Sequence, residues 1–329
     1  MSLISGDRKI ARVQSEVTYG VDPIAPGPPT VFQAFRAIDI VPQQIMIESP
    51  RATFSASGER HCVINSHNDL TWEMPMSGRL VGAGTPPAWD AWIMASGFRK
   101  TVVAATSVAY RPNTVGDMAD TPSATCWIYA LSLENNQAYL QRASGYRGNL
   151  SINMTIGEEA VISGSGIAIY SPRPVSTITK PSAPSSYEGA ICALVTNLVV
   201  TIGAVSYPVE SIEISSGWTV TEIRTGSATA GTLTRALLTR GMSGGRMSGS
   251  LKLVDGLTAL QACITAMQSG ATLALSATLT DGVRTTTITA PALQFGAISS
   301  SAEGVVKHDV PFFLTRGTVG DDEIVITLT

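Results

Sequence analysis

Apolar residues in this chain fall mostly into short, β-branched runs bounded by glycine, proline and small polar residues, a spacing that predicts strands. Helical spacing interrupts it twice. Trp89, Trp92 and Ile93 recur at the interval of one helix face, as do Leu257, Leu260, Ile264 and Met267, so each segment predicts a helix of about three turns facing a sheet. The first is expected to be capped by Thr85, to carry Pro86 and Pro87 in its opening positions and to end at Gly97. The second is expected to be capped by Asp255 and to end at Gly270, each glycine being free to take the left-handed conformation that closes a helix. The most apolar window, Ala190 to Val205, is broken by Asn197 and Gly203 and reads as strands, not as a membrane span.

The two helices sit in matching surroundings. MSGRLVGAGTPPAWDAWIMASG from Met76 and MSGSLKLVDGLTALQACITAMQSG from Met247 each place a Met-Ser-Gly strand before the helix. After each helix comes a hairpin signal, Asn135-Asn136 in one case and Asp281-Gly282 in the other, and then closing strands that include Gly166 to Tyr170 and Val310 to Leu314. Before each Met-Ser-Gly lies a polar stretch, Pro50 to Asp69 and Arg224 to Gly245, longer than an ordinary hairpin loop of about 2–5 residues. Both read as arms that reach another subunit. This ordered match implies an internal duplication. Ser171 to Gly189, with four prolines and several serines, reads as an extended connector. The expected organisation is an N-terminal arm and first domain over 1–175, a linker over 176–189, and a second domain with a C-terminal strand over 190–329. The expected fold class is mainly β, in two tandem domains with one flanking helix each.

Size agrees, since 329 residues exceed the roughly 250–300 at which a single core stops growing. Charged residues make up only 14% against an average of about 25%, which suits a surface buried against partners. Net charge is −3, with 13 basic and 14 acidic residues through Val175 and 9 and 11 afterwards, so no basic footprint for gripping nucleic acid appears. Cys62, Cys126, Cys192 and Cys263 are widely separated and signal neither a zinc cluster nor a disulfide framework. Asp7, Arg8 and Lys9 stand where a signal peptide would place its apolar stretch.

No residue set in the chain combines catalytic residue types with the spacing that catalysis needs. Gly241-Met242-Ser243-Gly244-Gly245 fits the nucleophile-elbow string, but a strand follows it where the elbow needs a helix, so a loop is the better reading. His61, Cys62 and His67 include zinc-ligand types without a fourth ligand or a familiar spacing. Glu158-Glu159 and Asp321-Asp322-Glu323 are adjacent carboxylates, which point to opposite faces of a strand or sit in solvated turns. No enzyme, cofactor or metal site is expected.

Tyr19-Gly20-Val21-Asp22-Pro23, GTPPAWDAWIMASGF from Gly84 to Phe98, and DDEIVITLT from Asp321 together resemble landmarks of the tail tube proteins of tailed, siphophage-type bacteriophages and prophages. The resemblance spans nearly the whole chain. It implies domains of two packed β-sheets flanked by one helix, six of which close a ring whose inner strands form a continuous barrel. With two domains per chain, three chains would make a pseudo-sixfold ring. Stacked rings would form a virion tail tube, assembled in the host cytoplasm, whose neutral-to-acidic channel conducts the genome. Its partners would be further copies of itself, tape-measure, terminator and distal tail proteins, and DNA in transit. Arg51, Glu59, Arg60, Arg224, Arg235 and Arg240, as charges on the two arms, are the expected subunit contacts. The second segment lacks Pro-Ala-Trp, which leaves open a hexamer of one tube domain plus a decoration domain. A β-rich adhesion or carbohydrate-binding protein is the alternative of another class.

Overall fold

The computed structural model describes residues 4–23, 32–48, 61–76, 83–113, 121–132, 136–170, 176–181, 187–188, 195–203, 205–224, 235–239, 246–254, 257–280, 284–303, 305–317 and 320–329. The protein is mainly β, as the strand-like runs predict, with two helices among the described residues. The first half contains β1 (Ile4–Ser15), β2 (Phe32–Gln33), β3 (Ala37–Glu48), β4 (His61–Pro75), α1 (Asp90–Ala95), β5 (Phe98–Val103) and β6 (Ser107–Pro112). It continues with β7 (Ala124–Ser132), β8 (Gln137–Thr155), β9 (Val161–Ala168), β10 (Ser176–Thr179) and β11 (Tyr187–Glu188). The second half contains β12 (Leu198–Ile202), β13 (Val205–Tyr207), β14 (Val209–Ser215), β15 (Thr219–Ile223), β16 (Arg235–Thr239) and β17 (Ser248–Val254). After these come α2 (Leu257–Ser269), β18 (Leu273–Thr280), β19 (Thr285–Phe295), β20 (Ser299–Glu303), β21 (Val305–Thr315) and β22 (Val325–Leu328). No described helix is long and apolar enough to cross a membrane.

The pairing order of the first half recurs in the second. Strands β1–β7–β8–β9–β4–β3 are joined antiparallel in that sequence, and β10 adds to the opening residues of β8. Strands β12–β18–β19–β21–β17–β14 are joined the same way, and β22 adds to the opening residues of β19. Each helix falls between the counterparts β4 or β17 and β7 or β18. The hairpin signals fall where expected, because β7 stops at Ser132 and β8 starts at Gln137, while β18 stops at Thr280 and β19 starts at Thr285. The Met-Ser-Gly strings do not correspond. Met76 follows the last residue of β4, whereas Met247 precedes β17, so the two strings lie at opposite ends of equivalent strands.

Strand β8 is the link between layers. Its opening residues pair with β7 and β10, and its closing residues with β9 and β14. A register shift where Ala124 and Cys126 face Tyr146 and Ala143, next to Gly145 at φ +68°, bends it from one sheet into the other. The main core runs through both halves, and a smaller cluster gathers Ile10, Phe32, Trp127, Tyr129, Ala138 and Leu140.

Two expectations about the helices are corrected. Helix α1 begins at Asp90 and spans only six residues, and Thr85 does not cap it. Thr85 and Pro86 each precede a proline, which disfavours helical dihedrals, so the chain turns only where Asp90 N–H reaches the Pro87 carbonyl at 3.1 Å. Its end at Gly97, φ +82°, is as read. Trp89, Trp92 and Ile93 are fully buried, with Trp92 stacked on Trp72 at 4.6 Å and edge-on to Tyr146 at 5.0 Å. In α2 the buried line is Ala259, Cys263 and Ala266, while Leu260, Ile264 and Met267 are half-buried flanks. Small residues let this helix lie close to its sheet. Asp255 lies outside the described residues, and Gly270 ends the helix at φ +67°.

The stretch expected to be a bare connector carries β10 and β11, which pair with β8 and β2. An extended, proline-flanked segment is compatible with an edge position, where missing N–H groups cost little. Both polar arms are in part ribbons: β3 and β4 stay paired out to Glu48 and His61, and β15 pairs with β16.

Candidate assembly interface

The two halves meet by direct strand pairing, not by a loop-to-loop contact. Ser211 to Ser215 of β14 face Thr155 to Ser151 of β8 in antiparallel register. The result is one antiparallel run, β3–β4–β9–β8–β14–β17–β21–β20, that crosses from one half into the other. Alternation explains its two faces. Leu150, Ile152, Met154, Ile212 and Ile214 are buried on one side, while Asn149, Ser151, Asn153, Ser211 and Glu213 point away from the core.

Polar contacts fix this junction. Leu150 N–H donates to Ser216 Oγ (3.0 Å), Ser216 N–H donates to the Leu150 carbonyl (2.8 Å), and Asn149 Oδ1 accepts from the Ser216 hydroxyl and from Trp218 N–H (3.3 Å). Trp218 then packs so closely on Gly97 that a Cβ there would lie 2.8 Å from its ring. Gly97 therefore serves both as the helix stop and as the floor of a contact between halves. The turn after β8 is tied as well: Gly157 N–H reaches Val195 O (3.0 Å), Val195 N–H reaches Glu158 O (2.9 Å), and Ile156 N–H reaches Glu210 O (2.8 Å).

The β15–β16 ribbon lies over the first half on a buried cationic clamp. Arg147, 1% exposed, donates through Nη1 to the Ala236 carbonyl (2.9 Å) and through Nη2 to the Thr121 carbonyl, and lies 5.0 Å from the Tyr19 ring centroid. The Tyr19 hydroxyl accepts from Ala236 N–H at 2.7 Å. Glu16 holds the Tyr19-Gly20 turn in place, accepting from Gly20 N–H (2.6 Å), Gly145 N–H (2.7 Å), Thr125 Oγ1 (2.5 Å) and the Ser123 hydroxyl. At the far side of the second half, β22 pairs with β6, an extra hairpin strand for which α2–β18 has no room.

Of the expected contact residues, Arg51, Glu59, Arg60 and Arg240 lie outside the described residues, as do Ser243 and Gly241 to Gly245. The backbone of Arg235 pairs with Ile223, and its side chain lies outside the described residues. Arg224 is taken up locally by Glu222. Glu222 also sits 3.2 Å from His67 Nδ1, whose Nε2 is 3.2 Å from Asp69, so His67 lies between two carboxylates. The side chains of His61 and Cys62 are outside the described residues. The carboxylate clusters are absorbed by turns: Asp321, buried at φ +63°, takes Arg99 at 3.4 Å, Asp322 accepts Gly317 N–H at 2.8 Å, and Glu159 stands 3.8 Å from Arg36. Burial, then the adjacent Asp90 carboxylate, pushes the Tyr110 hydroxyl far above its ordinary range, and burial alone does so for the Cys126 thiol. These are inert core groups, not poised reagents.

Sequence reasoning missed Arg147, Asn149, Ser216 and Trp218. A buried cation and a strand-edge asparagine carry no local signature, whereas Tyr19-Gly20 and Gly97 stood inside motifs already singled out. Compared with known protein families and with curated proteins, the chain matches no family model and no individual sequence.

Proposed function

We propose that this chain is a structural subunit of a phage-type tail tube, three copies of which close a ring of six like domains. The observation that carries this reading is the recurrence of one pairing order in both halves, together with their edge-to-edge joining through β14 and β8. A chain already containing one domain–domain junction of this kind has the means to make more of them. Exposed sheet edges are aggregation sites, and closure of a ring removes them.

The open face of the crossing run supports a water-filled channel. It carries Asp39, Asp69, Glu73, Glu213 and Asp309 against Lys252 and Lys307, with Lys9 and Arg36 reaching Asp39 and Glu73. A neutral to mildly acidic, serine-rich wall lets phosphates pass without counterion release and sticking. Because the second half repeats the whole order, the two-domain reading is favoured over a tube domain with a decoration domain.

Negative-stain microscopy and native mass measurement of the purified protein test this. Tubes, or rings of three chains, are expected. A monomer under all conditions would sink the reading, and a ring of six chains would replace the trimer with the hexamer.

A further inference from the structure

The two ends of the crossing run lack a described strand neighbour, although the Ile40 carbonyl on β3 accepts from Gln141 Nε2 at 2.8 Å. Among the described residues, no strand pairs with β3 on the side away from β4 or with β20 on the side away from β21. These edges are counterparts of the two strands that already meet inside the chain. β3 pairs with β4 as β14 pairs with β17, and β20 pairs with β21 as the closing residues of β8 pair with β9. On this basis we propose that β3 of one copy pairs antiparallel with β20 of a second copy in the manner of the β14–β8 junction, except at Pro42, which is the counterpart of Ser216 and has no N–H to donate. The inference rests on the ring reading and names the surface that closes it.

An exposed apolar residue supports the same partner. In the first half the end of the β8–β9 hairpin is sealed by second-half backbone, and Ala160 and Ile162 are fully buried. At the matching end of the β20–β21 hairpin Val306 is 49% exposed, and Val41 on β3 is 40% exposed. A second copy seated as the second half seats on the first would cover Val306 as Ala160 is covered, while Val41 stays on the open face beside Asp39.

The ladders give a register. The row Ala37–Glu73–Ser163–Ser151 corresponds to Ser211–Lys252–Asp309–Ser299, which keeps Ile38 and Ile40 in line with Ile212 and Ile214 on the core face. Since Ser215 faces Ser151 within the chain, Val41 faces Ser299 between chains, and Asp39 faces Ser301. The contact is head-to-tail: one copy offers β3, the next β20, and each keeps its other edge for a third. It also differs from the internal junction, because the β6–β22 pairing that braces the second half has no counterpart after α2.

Thiol cross-linking tests this in a parent chain with Cys62→Ser and Cys192→Ser, Cys126 and Cys263 being buried. Val41→Cys and Ser299→Cys in the same chain should give covalent species ending at a closed trimer. Mixing the two single variants should give covalent dimers only. Rings that form without a bond from position 41 to β20, or with 41-to-41 bonds, overturn this pairing and leave the ring reading standing. A bond from position 41 to a cysteine at Ser301 instead of Ser299 overturns the register. Absence of any assembly removes the ring reading itself.

Discussion

Trp92 offers a sharp test of how α1 is anchored. It is fully buried, stacked on Trp72, edge-on to Tyr146 and 6.2 Å from the Phe35 ring, yet its indole N–H has no hydrogen-bond partner among the described residues. Trp92→Ala empties the centre of this aromatic group and should cost about 3–5 kcal/mol. That is a fifth or more of a typical stability of about 5–15 kcal/mol. Trp92→Phe keeps an aromatic ring in the site and loses part of the contact, worth about 0.5–1.5 kcal/mol. It also removes a buried, unsatisfied donor whose desolvation costs about 1–3 kcal/mol. The two effects nearly cancel, so the Phe variant should fall within about 1 kcal/mol of the parent. Urea denaturation followed by far-ultraviolet circular dichroism reads both. With a slope of about 3 kcal/mol/M, the Ala midpoint should drop by about 1–1.7 M and the Phe midpoint should hardly move. Equal losses in the two variants would refute the unsatisfied-donor reasoning, and a loss under about 1 kcal/mol for Ala would refute the anchoring role.

Other perturbations separate the remaining contacts. Arg147→Met removes both carbonyl contacts of a buried guanidinium and should destabilise by about 3 kcal/mol, with hydrogen exchange at Ala236 and Leu238 accelerating more than in α2. Unchanged protection of the β15–β16 ribbon would show that Arg147 does not hold it. Gly97→Ala and Gly270→Ala both force a side chain into a left-handed backbone, costing about 1–2 kcal/mol, but only Gly97 also meets Trp218, so its variant should be the less stable in thermal unfolding. Burial pushes the Cys263 thiol up from 9.0 to about 11. A thiol raised on folding stays protonated while its unfolded counterpart ionises, so its contribution is intact below pH 9 and is lost as pH rises from 9 to about 11. Cys263→Ala should flatten that part of the stability–pH curve, and an unchanged curve would contradict the assignment.

Much of the local grammar was legible. Asp281-Gly282 and Asn135-Asn136 marked hairpin turns because few residues tolerate the backbone such turns require, and Gly97 and Gly270 marked helix ends for the same reason. The start of α1 was misread because Thr85 looks like a cap while the prolines after it hold the chain extended. The buried line of α2 was misread because Leu260, Ile264 and Met267 outweigh Ala259, Cys263 and Ala266 in hydrophobicity, although close approach to the sheet favours the smaller set. Cross-strand fit was equally hidden. Gly164 admits Trp72 from the neighbouring strand, and Gly249 admits Phe312, so the small and large partners exchange strands between halves.

By itself the sequence determined that the chain is mainly β, where the two helices and the two hairpins stop, and that a helix followed by a hairpin recurs in both halves. Those properties follow from side-chain periodicity and from backbone conformations that single residues permit or forbid. Tertiary structure alone decided that β8 serves two sheets, that β14 closes against it, that Arg147 and Tyr19 clamp the ribbon of the other half, and that β3 and β20 are left open. The physical reason is that alternation specifies the face of a strand but not its neighbours. Backbone N–H and carbonyl groups are the same at every non-proline position, so which edge meets which is fixed only when distant segments pack together.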